Sequence, residues 1–218
     1  MLQAAEANNI KLVVAHYRRA QPMFNKIMDL LQEGTIGKPQ RVQLDYFTKA
    51  IAASDLTIPK VAWRVDPAVS GGGLFHDLAP HQLGLMIYYF GNPTSASGTS
   101  FNTGGLYAAD DTVRGTIEFE NNVTFNGHWN FNAFEGEKKD ECIITGTGGE
   151  IRFSIFGKQE IRVTSGDEET LIAFDPPQHV QQPLIEKVVQ YFLGKGPNPC
   201  PPEEGYEVMK LMDVFTGV

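Results

Sequence analysis

An aspartate and a histidine four residues apart give the strongest chemical signal in the sequence. Asp77 and His81 fall on a predicted helix, where residues at this spacing share one face. A carboxylate beside an imidazole orients the ring and raises its basicity, which suits the ring to act as a general base. The alternative is that Asp77 only favours a helix N-terminus and that His81 is a hydrogen-bonded core histidine.

Three consecutive glycines precede this helix. Gly71, Gly72 and Gly73 remove every side chain from one stretch of backbone, so a ligand or another backbone can approach closely. A flexible loop tip would explain the same residues. Because a polar helix face begins beside the glycines, we interpret the region as a pocket wall rather than a solvated surface.

Aromatic and basic side chains at two other places could contact a ligand. Trp63 could stack on a sugar ring and Arg64 could hydrogen-bond a hydroxyl or carboxylate, although the pair could equally seal a loop. Tyr17, Arg18 and Arg19 follow an apolar run, and α/β proteins place ligand contacts at strand ends. Tyr17 and Arg19 are therefore candidate substrate contacts, whereas for Arg18 we favour plain surface charge.

Two further patterns suggest a binding site but do not meet its requirements. The glycine-rich run 146–149 is followed by a β-type segment, whereas a dinucleotide cradle requires a helix N-terminus there. His76, Asp77, His81 and His128 match no recognised metal-ligand spacing, so no metal site is predicted.

Composition and net charge limit the kinds of protein that this chain can be. Hydrophobic residues make up 42% and charged residues 20% of 218 residues, which is ordinary for a globular protein. A net charge of -8 argues against nucleic acid as a partner, because an acidic protein gains nothing from counterion release. The two cysteines match no metal spacing and suggest a reducing compartment, and no apolar run is long enough to cross a membrane, so we expect a cytoplasmic protein.

Periodicity predicts an α+β fold with a large, mostly antiparallel sheet and helices packed on one of its faces. Residues 50–70 show no clean period and are predicted to form a long loop. The predicted helices cover residues 22–33, 77–90, 180–192 and 203–215, and the predicted strands cover 42–46, 112–119, 123–131, 141–145, 150–155, 161–164 and 171–174.

The first residues suggest a domain boundary. An Ala/Glu-rich helix end and a short buried strand, Leu12 to Ala15, open the chain, as if it were cut inside an alternating α/β domain. We therefore predict that residues 1–18 are a remnant of a dinucleotide-binding domain and that residues 19–218 form a substrate-binding and oligomerisation domain.

In their order and spacing, these segments resemble the glucose–fructose oxidoreductase / inositol dehydrogenase / MocA family over nearly the whole chain. Residues 11–19 look like the last strand of that family's Rossmann domain, and 22–39 look like the helix that crosses into its C-terminal domain. Trp63-Arg64, the three glycines, Asp77 and His81 are similar to its signature segment. The resemblance implies a C-terminal domain like that of dihydrodipicolinate reductase or glyceraldehyde-3-phosphate dehydrogenase, with the Rossmann domain largely missing.

The resemblance also implies a function. Members bind NAD or NADP on the Rossmann domain, so the cofactor would be held mainly by the missing domain, with Gly71, Gly72 and Gly73 approached only from the nicotinamide side. A histidine at the position of His81 is implied to accept the proton of the reacting hydroxyl, supported by an aspartate at the position of Asp77. The substrate would be a sugar or polyol, and the open face of the sheet would join a homodimer or tetramer.

The sequence departs from the family pattern in three ways, one of which is that the family's tyrosines that reach the substrate from the sheet have no clear counterpart here. It contains no Gly-x-Gly-x-x-Gly after a strand and no Glu-Lys-Pro, so this chain alone is expected to be inactive. Many members carry an aspartate three residues after the histidine, where this chain has Gly84, which puts inositol itself in doubt.

Two other functions remain open on the sequence. The chain could be a non-catalytic ligand-binding or dimerisation module that kept the fold. It could also belong to an NAD-dependent glycosidase, which would release an aglycone without net formation of NADH.

Overall fold

A computed structural model describes residues 1–217 of the chain and contains one eight-stranded sheet. The strands are β1 (Pro39–Lys49), β2 (Pro93–Phe101), β3 (Thr112–Phe119), β4 (Thr124–Ala133), β5 (Lys139–Gly146), β6 (Gly149–Phe153), β7 (Glu160–Ser165) and β8 (Glu168–Ala173). Their spatial order is β2-β3-β4-β1-β5-β6-β7-β8. Only β1 and β4 pair in parallel, so the prediction of a mostly antiparallel sheet is confirmed.

Seven α-helices accompany the sheet within the described residues. They are α1 (Leu2–Ala7), α2 (Pro22–Gln32), α3 (Pro59–Val65), α4 (Pro67–Ser70), α5 (Leu74–Phe90), α6 (Gln182–Phe192) and α7 (Pro202–Thr216). Proline stands in the first turn of α2, where its fixed φ suits the helix and its missing N–H costs nothing. Among these residues, no helix combines the length and the apolar character that crossing a membrane requires.

The core lies between the helices and one face of the sheet. Alternate residues of the central strands are buried, as in β4, where every second side chain from Phe125 onward is sequestered. Helices α2, α5 and α7 cover this face, and the Tyr89 hydroxyl on α5 donates to Phe24 O on α2 at 3.0 Å. Because one face is sealed by helices, the other face of the sheet stays open, as predicted.

A row of glycines lets α7 approach the sheet. Gly98, Gly115 and Gly127 stand side by side on β2, β3 and β4. A Cβ atom on Gly115 would lie 2.2 Å from the ring of Phe215, which is fully buried, and one on Gly127 would lie 2.3 Å from the Trp129 ring. Two large rings therefore rest directly on backbone, a close approach that only glycine permits.

Three local predictions differ from the structure. Residues 50–70 are not a plain loop, because prolines at first-turn positions start α3 and α4 there. Residues 12–15 pair with no strand among the described residues and are only partly buried; the Val14 N–H donates instead to Cys200 O at 3.0 Å. A strand of a parallel sheet needs neighbouring strands to pair with, and residues 1–217 provide none beside residues 12–15. β2 was not predicted, since its Ser/Thr/Gly-rich sequence lacks alternation.

Substituting Gly115 by alanine should destabilise the protein by about 1–3 kcal/mol, because the added methyl group would overpack the Phe215 ring. Gly136→Ala is the matched control, since no atom lies within 4 Å of its added Cβ. Urea denaturation measures both variants. Equal midpoints for the two would show that the glycine row does not constrain the packing of α7.

Candidate active site

Helix α5 carries the two residues with the strongest chemical signal. The neighbouring residue Gln82 is fully buried and accepts a hydrogen bond from Trp129 Nε1 at 2.6 Å, which turns that side of α5 toward the sheet. Since successive helical residues are about 100° apart, His81 points in a different direction from Gln82, and it is only half-buried. Asp77, whose side chain is 30% exposed, lies on the same side. Neither residue is fully buried, and His81 Nδ1 has no hydrogen-bond partner among residues 1–217, so the structure does not show a hydrogen-bonded core histidine.

Aromatic rings surround the His81 imidazole. The ring of Tyr17 lies edge-on at 5.1 Å between centroids, that of His16 at 6.1 Å and that of Phe156 at 6.4 Å. The structure thus brings the predicted contact Tyr17 to the predicted base, together with two residues that the sequence did not single out.

Burial keeps His81 neutral. The pKa of its imidazole lies below the ordinary value chiefly because of burial, and the charge of Arg18 lowers it further while Asp77 opposes both. His81 Nδ1 is buried without a hydrogen-bond partner among residues 1–217. Nε2 is therefore the ring nitrogen that remains available to a ligand, and a neutral imidazole can accept a proton there.

Asp77 acts on His81 through charge and not through a hydrogen bond. Its carboxylate lies 3.6 Å from Arg64 Nε, and no hydrogen bond joins it to the imidazole in the described part of the chain. The expectation that Asp77 directly orients the ring is therefore not met in this structure. Its negative charge still favours the imidazolium form that arises when His81 takes up a proton.

Trp63 and Arg64 lie at the end of α3, on the same side of the molecule as Asp77. The Arg64 guanidinium is 5.4 Å from the Trp63 ring, which is 43% exposed. Arg64 lies over one face of the indole, and the other face of this exposed ring can stack on a sugar ring. The ion pair with Asp77 connects these two residues to the face of α5 that carries His81.

The three glycines are required by packing within the chain. A Cβ atom on Gly72 would lie 2.1 Å from the His76 ring, and one on Gly73 would lie 2.5 Å from Ala109 Cβ. Gly71 and Gly73 also have φ values of +84° and +80°, a conformation that favours glycine. A close approach of nicotinamide to Gly71, Gly72 and Gly73 stays a prediction, and the side of Gly72 and Gly73 that a Cβ would occupy is already filled.

Arg19 lies outside the group around His81, contrary to the expectation from sequence. It is 8% exposed, forms an ion pair with Glu204 and stacks on the Tyr88 ring at 4.2 Å. Its Nη1 also donates to Cys200 Sγ at 3.4 Å. Arg19 therefore connects residues 17–20 to α7 through its ion pair with Glu204.

Arg18 occupies the position expected of Arg19. Its guanidinium stacks on Phe156 at 4.2 Å and lies 5.3 Å from the Tyr17 ring, so both arginine and histidine flank the same two aromatic rings. The interpretation of Arg18 as surface charge is wrong, because residues 17–20 form a 3-10 turn that points its side chain inward. No periodicity in the sequence marks that turn.

His16 fills the space beside Gly84. A Cβ atom on Gly84 would lie 2.7 Å from His16 Nδ1, so only a residue without a side chain allows this contact. Burial lowers the pKa of His16 from 6.5 to about 4, with smaller contributions from His81 and Arg19. A second neutral imidazole therefore stands next to His81, where the family resemblance would place a carboxylate.

The sheet supplies the floor of the group. Tyr46 on β1 lies 5.2 Å from the Phe156 ring, and burial, followed by the charge of Asp140, raises the pKa of its phenol to about 12. Asp140 is held in place by the backbone N–H groups of Ile155 and Phe156, at 3.0 and 2.7 Å. Because Tyr46, Asp140 and Phe156 are far apart in the chain, sequence analysis alone could not show that they lie together.

His16 should make stability depend on pH. The unfolded chain protonates it near 6.5, whereas the folded protein keeps it neutral down to about 4. The unfolded state therefore binds more protons in this window, so stability should fall by up to about 3 kcal/mol as the pH falls through it. His16→Gln should remove this loss in urea denaturation, leaving a smaller slope from His76, His81 and His128, whose pKa values burial also lowers. An unchanged slope would contradict the buried neutral imidazole.

Known proteins match this chain over most of its length. The model for the GFO/IDH/MocA C-terminal domain family matches residues 24–152. "Oxidoreductase P35" from Formosa agariphila is 41% identical over all of this chain and 66% of its own length.

Solved structures share the fold at low identity. Aldose-aldose oxidoreductase from Caulobacter crescentus, in complex with glycerol, has a TM-score of 0.81 at 15% identity and covers 97% of this chain and 62% of its own. Levoglucosan dehydrogenase, in complex with NADH and levoglucosan, has a TM-score of 0.79 at 20% identity and covers 98% of this chain and 65% of its own. The chain therefore spans just under two thirds of the length of the relatives it matches. On the family match, the identity to P35 and the shared fold, this chain belongs to the Gfo/Idh/MocA family, of which it contains the C-terminal domain.

Proposed function

We propose that this chain is the substrate-binding and catalytic part of an NAD- or NADP-dependent oxidoreductase that acts on an alcohol of a sugar or polyol. The observation that carries the proposal is the half-buried, neutral His81, whose Nε2 is available to a ligand beside Tyr17. Family membership supports the reaction class, and the levoglucosan dehydrogenase structure with NADH supports a nicotinamide cofactor and a carbohydrate-derived substrate.

In the proposed reaction, His81 takes the proton from the hydroxyl that is oxidised. A general base must be unprotonated before it can accept a proton, and burial favours the neutral imidazole by lowering the pKa of His81. Asp77 then stabilises the imidazolium by its charge, while Arg64 holds the carboxylate. The bound nicotinamide would accept the hydride from the carbon that carries the hydroxyl.

The dinucleotide would be held mainly by a further domain. The longer relatives support this, as does an apolar surface close to the site. Helix α6 buries only Leu184, and Ile185, Val189 and Phe192 form an exposed stripe at helical spacing. The groove between this helix and residues 11–15 is mostly apolar, and such a surface is characteristic of a docking site.

The open face of the sheet is proposed to join two or more copies of the protein. It carries a shallow depression lined by Gln43, Arg114, Thr116, Asn126 and His128. These polar side chains, of which Arg114 is exposed and the others are half-buried, lie on a broad face that suits a self-complementary interface. Sedimentation velocity should then give at least twice the mass of 24.1 kDa for the chain, and a single monomeric boundary at micromolar concentration would contradict this.

The two alternative functions make different demands on the site. A non-catalytic module would not need an imidazole kept neutral and open to a ligand, so the state of His81 favours catalysis. A glycosidase that oxidises its substrate only transiently would use the same base. Product analysis separates it, because it would release an aglycone without net NADH.

His81→Gln should lower turnover by a factor of roughly 100 to 10,000 in the polypeptide that includes the dinucleotide-binding domain, because glutamine cannot accept the proton. His179→Gln, at an exposed position before α6, is the matched control and should keep wild-type rates. NADH formation with a panel of sugars and polyols is the readout, and urea denaturation checks the fold. A folded His81→Gln protein with undiminished turnover would overturn the proposal.

A further inference from the structure

Arg18 is a half-buried cation without a carboxylate partner. No Asp or Glu oxygen within residues 1–217 lies within 4.0 Å of its guanidinium nitrogens, whereas Arg19, its neighbour in sequence, is paired with Glu204. Burial lowers the pKa of Arg18, and the charge of Asp140 opposes this only in part. A buried charge is costly unless an opposite charge or several hydrogen bonds compensate it.

The groups around Arg18 compensate that charge only in part. Nη1 donates to Ile155 O at 2.6 Å, and the guanidinium plane lies over the Phe156 ring. Nε is buried and has no hydrogen-bond partner in the described part of the chain. Nη2 has no hydrogen-bond partner among residues 1–217 either, and it is not among the buried unpartnered atoms, so it is open to solvent.

The carboxylates near Arg18 are committed elsewhere. Asp140 accepts from the backbone N–H groups of Ile155 and Phe156, and Asp77 pairs with Arg64. A rearrangement that gave Arg18 one of these carboxylates would leave two backbone donors or another arginine unpartnered. The missing negative charge is therefore best supplied from outside the chain.

We propose that Arg18 binds the carboxylate of the substrate, so that the substrate is a polyhydroxy acid, such as a sugar acid, with its reacting hydroxyl at His81. This inference rests on the proposed oxidoreductase function and narrows its substrate class. Arg18 and His81 flank the same two rings, Tyr17 and Phe156, so one small ligand lying against those rings reaches both. A guanidinium recognises a carboxylate with charge-assisted hydrogen bonds.

Binding of an acid at Arg18 should also change the protonation of His81. The charge of Arg18 lowers the pKa of His81, and a carboxylate that neutralises this charge removes that effect. The other groups that face the imidazole are Asp77, whose charge raises its pKa, and the uncharged rings of His16 and Tyr17. A sugar acid should therefore raise the pKa of His81, whereas a neutral sugar should not.

The test compares glucuronate with glucose, which share the pyranose ring and differ in one carboxylate. The 218-residue chain, labelled with ¹⁵N, is titrated with each sugar while NMR follows the imidazole of His81. Glucuronate should bind at least tenfold more tightly than glucose and raise the pKa of His81. Arg18→Gln should remove that preference, and Arg18→Lys should keep part of it, because the charge remains while the fork of donors is lost.

Arg41→Gln is the matched control, since it removes an exposed arginine from β1 and should leave the preference unchanged. Equal binding of the two sugars, no binding of either, or a preference that survives in a folded Arg18→Gln chain would overturn the inference. Turnover by the polypeptide with its dinucleotide-binding domain separates the two proposals. His81-dependent oxidation of neutral polyols without preference for acids would refute only the role of Arg18, whereas no His81-dependent oxidation of either class would refute the function.

Discussion

A hydrogen bond between Trp129 Nε1 and Gln82 Oε1 connects the middle of the sheet to the middle of α5, and both side chains are fully buried. A polar contact in such a place is costly to break, because each partner would be left without water or another donor or acceptor. It therefore fixes the rotation of α5 about its axis. Because His81 immediately precedes Gln82 in the helix, the direction of its side chain depends on that rotation.

The packing beneath Trp129 supports that bond. The Trp129 ring lies 5.0 Å from Phe75 at the start of α5 and 6.0 Å from Phe215 on α7, and both aromatic contacts depend on the glycine row. Helix α5 is thus held by the sheet from below and by α7 from the side. The site is built on rigid elements, which is what precise positioning of a base requires.

The protonation of His81 depends on the few charged groups that lie near it. Burial removes the charge from His16 and His81, while Arg18 and Asp77 act on His81 with opposite sign. The rings of Phe156 and Tyr17 lie beside both Arg18 and His81, and apolar surroundings strengthen the remaining electrostatic interactions. In such surroundings a single carboxylate brought by a ligand changes the balance substantially.

The sequence predicted those features that depend on local periodicity or spacing. The alternation in β1, the helix that carries Asp77 and His81, and the mostly antiparallel sheet all follow from residues close together in the chain. The roles of Arg18 and Arg19 were exchanged, because a 3-10 turn decides which side chain points inward and sequence does not reveal its phase. The contact of His16 with Gly84 could not be foreseen, since it joins residues whose proximity arises only from folding.

The central claim concerns one atom, Nε2 of His81. A crystal structure of the polypeptide with its dinucleotide-binding domain, a nicotinamide cofactor and a bound sugar or polyol would test it most directly. We expect the hydroxyl on the carbon nearest the nicotinamide ring to lie about 2.6–3.2 Å from that nitrogen. A substrate and nicotinamide bound together on the open face of the sheet, with His81 remote from both, would contradict the account.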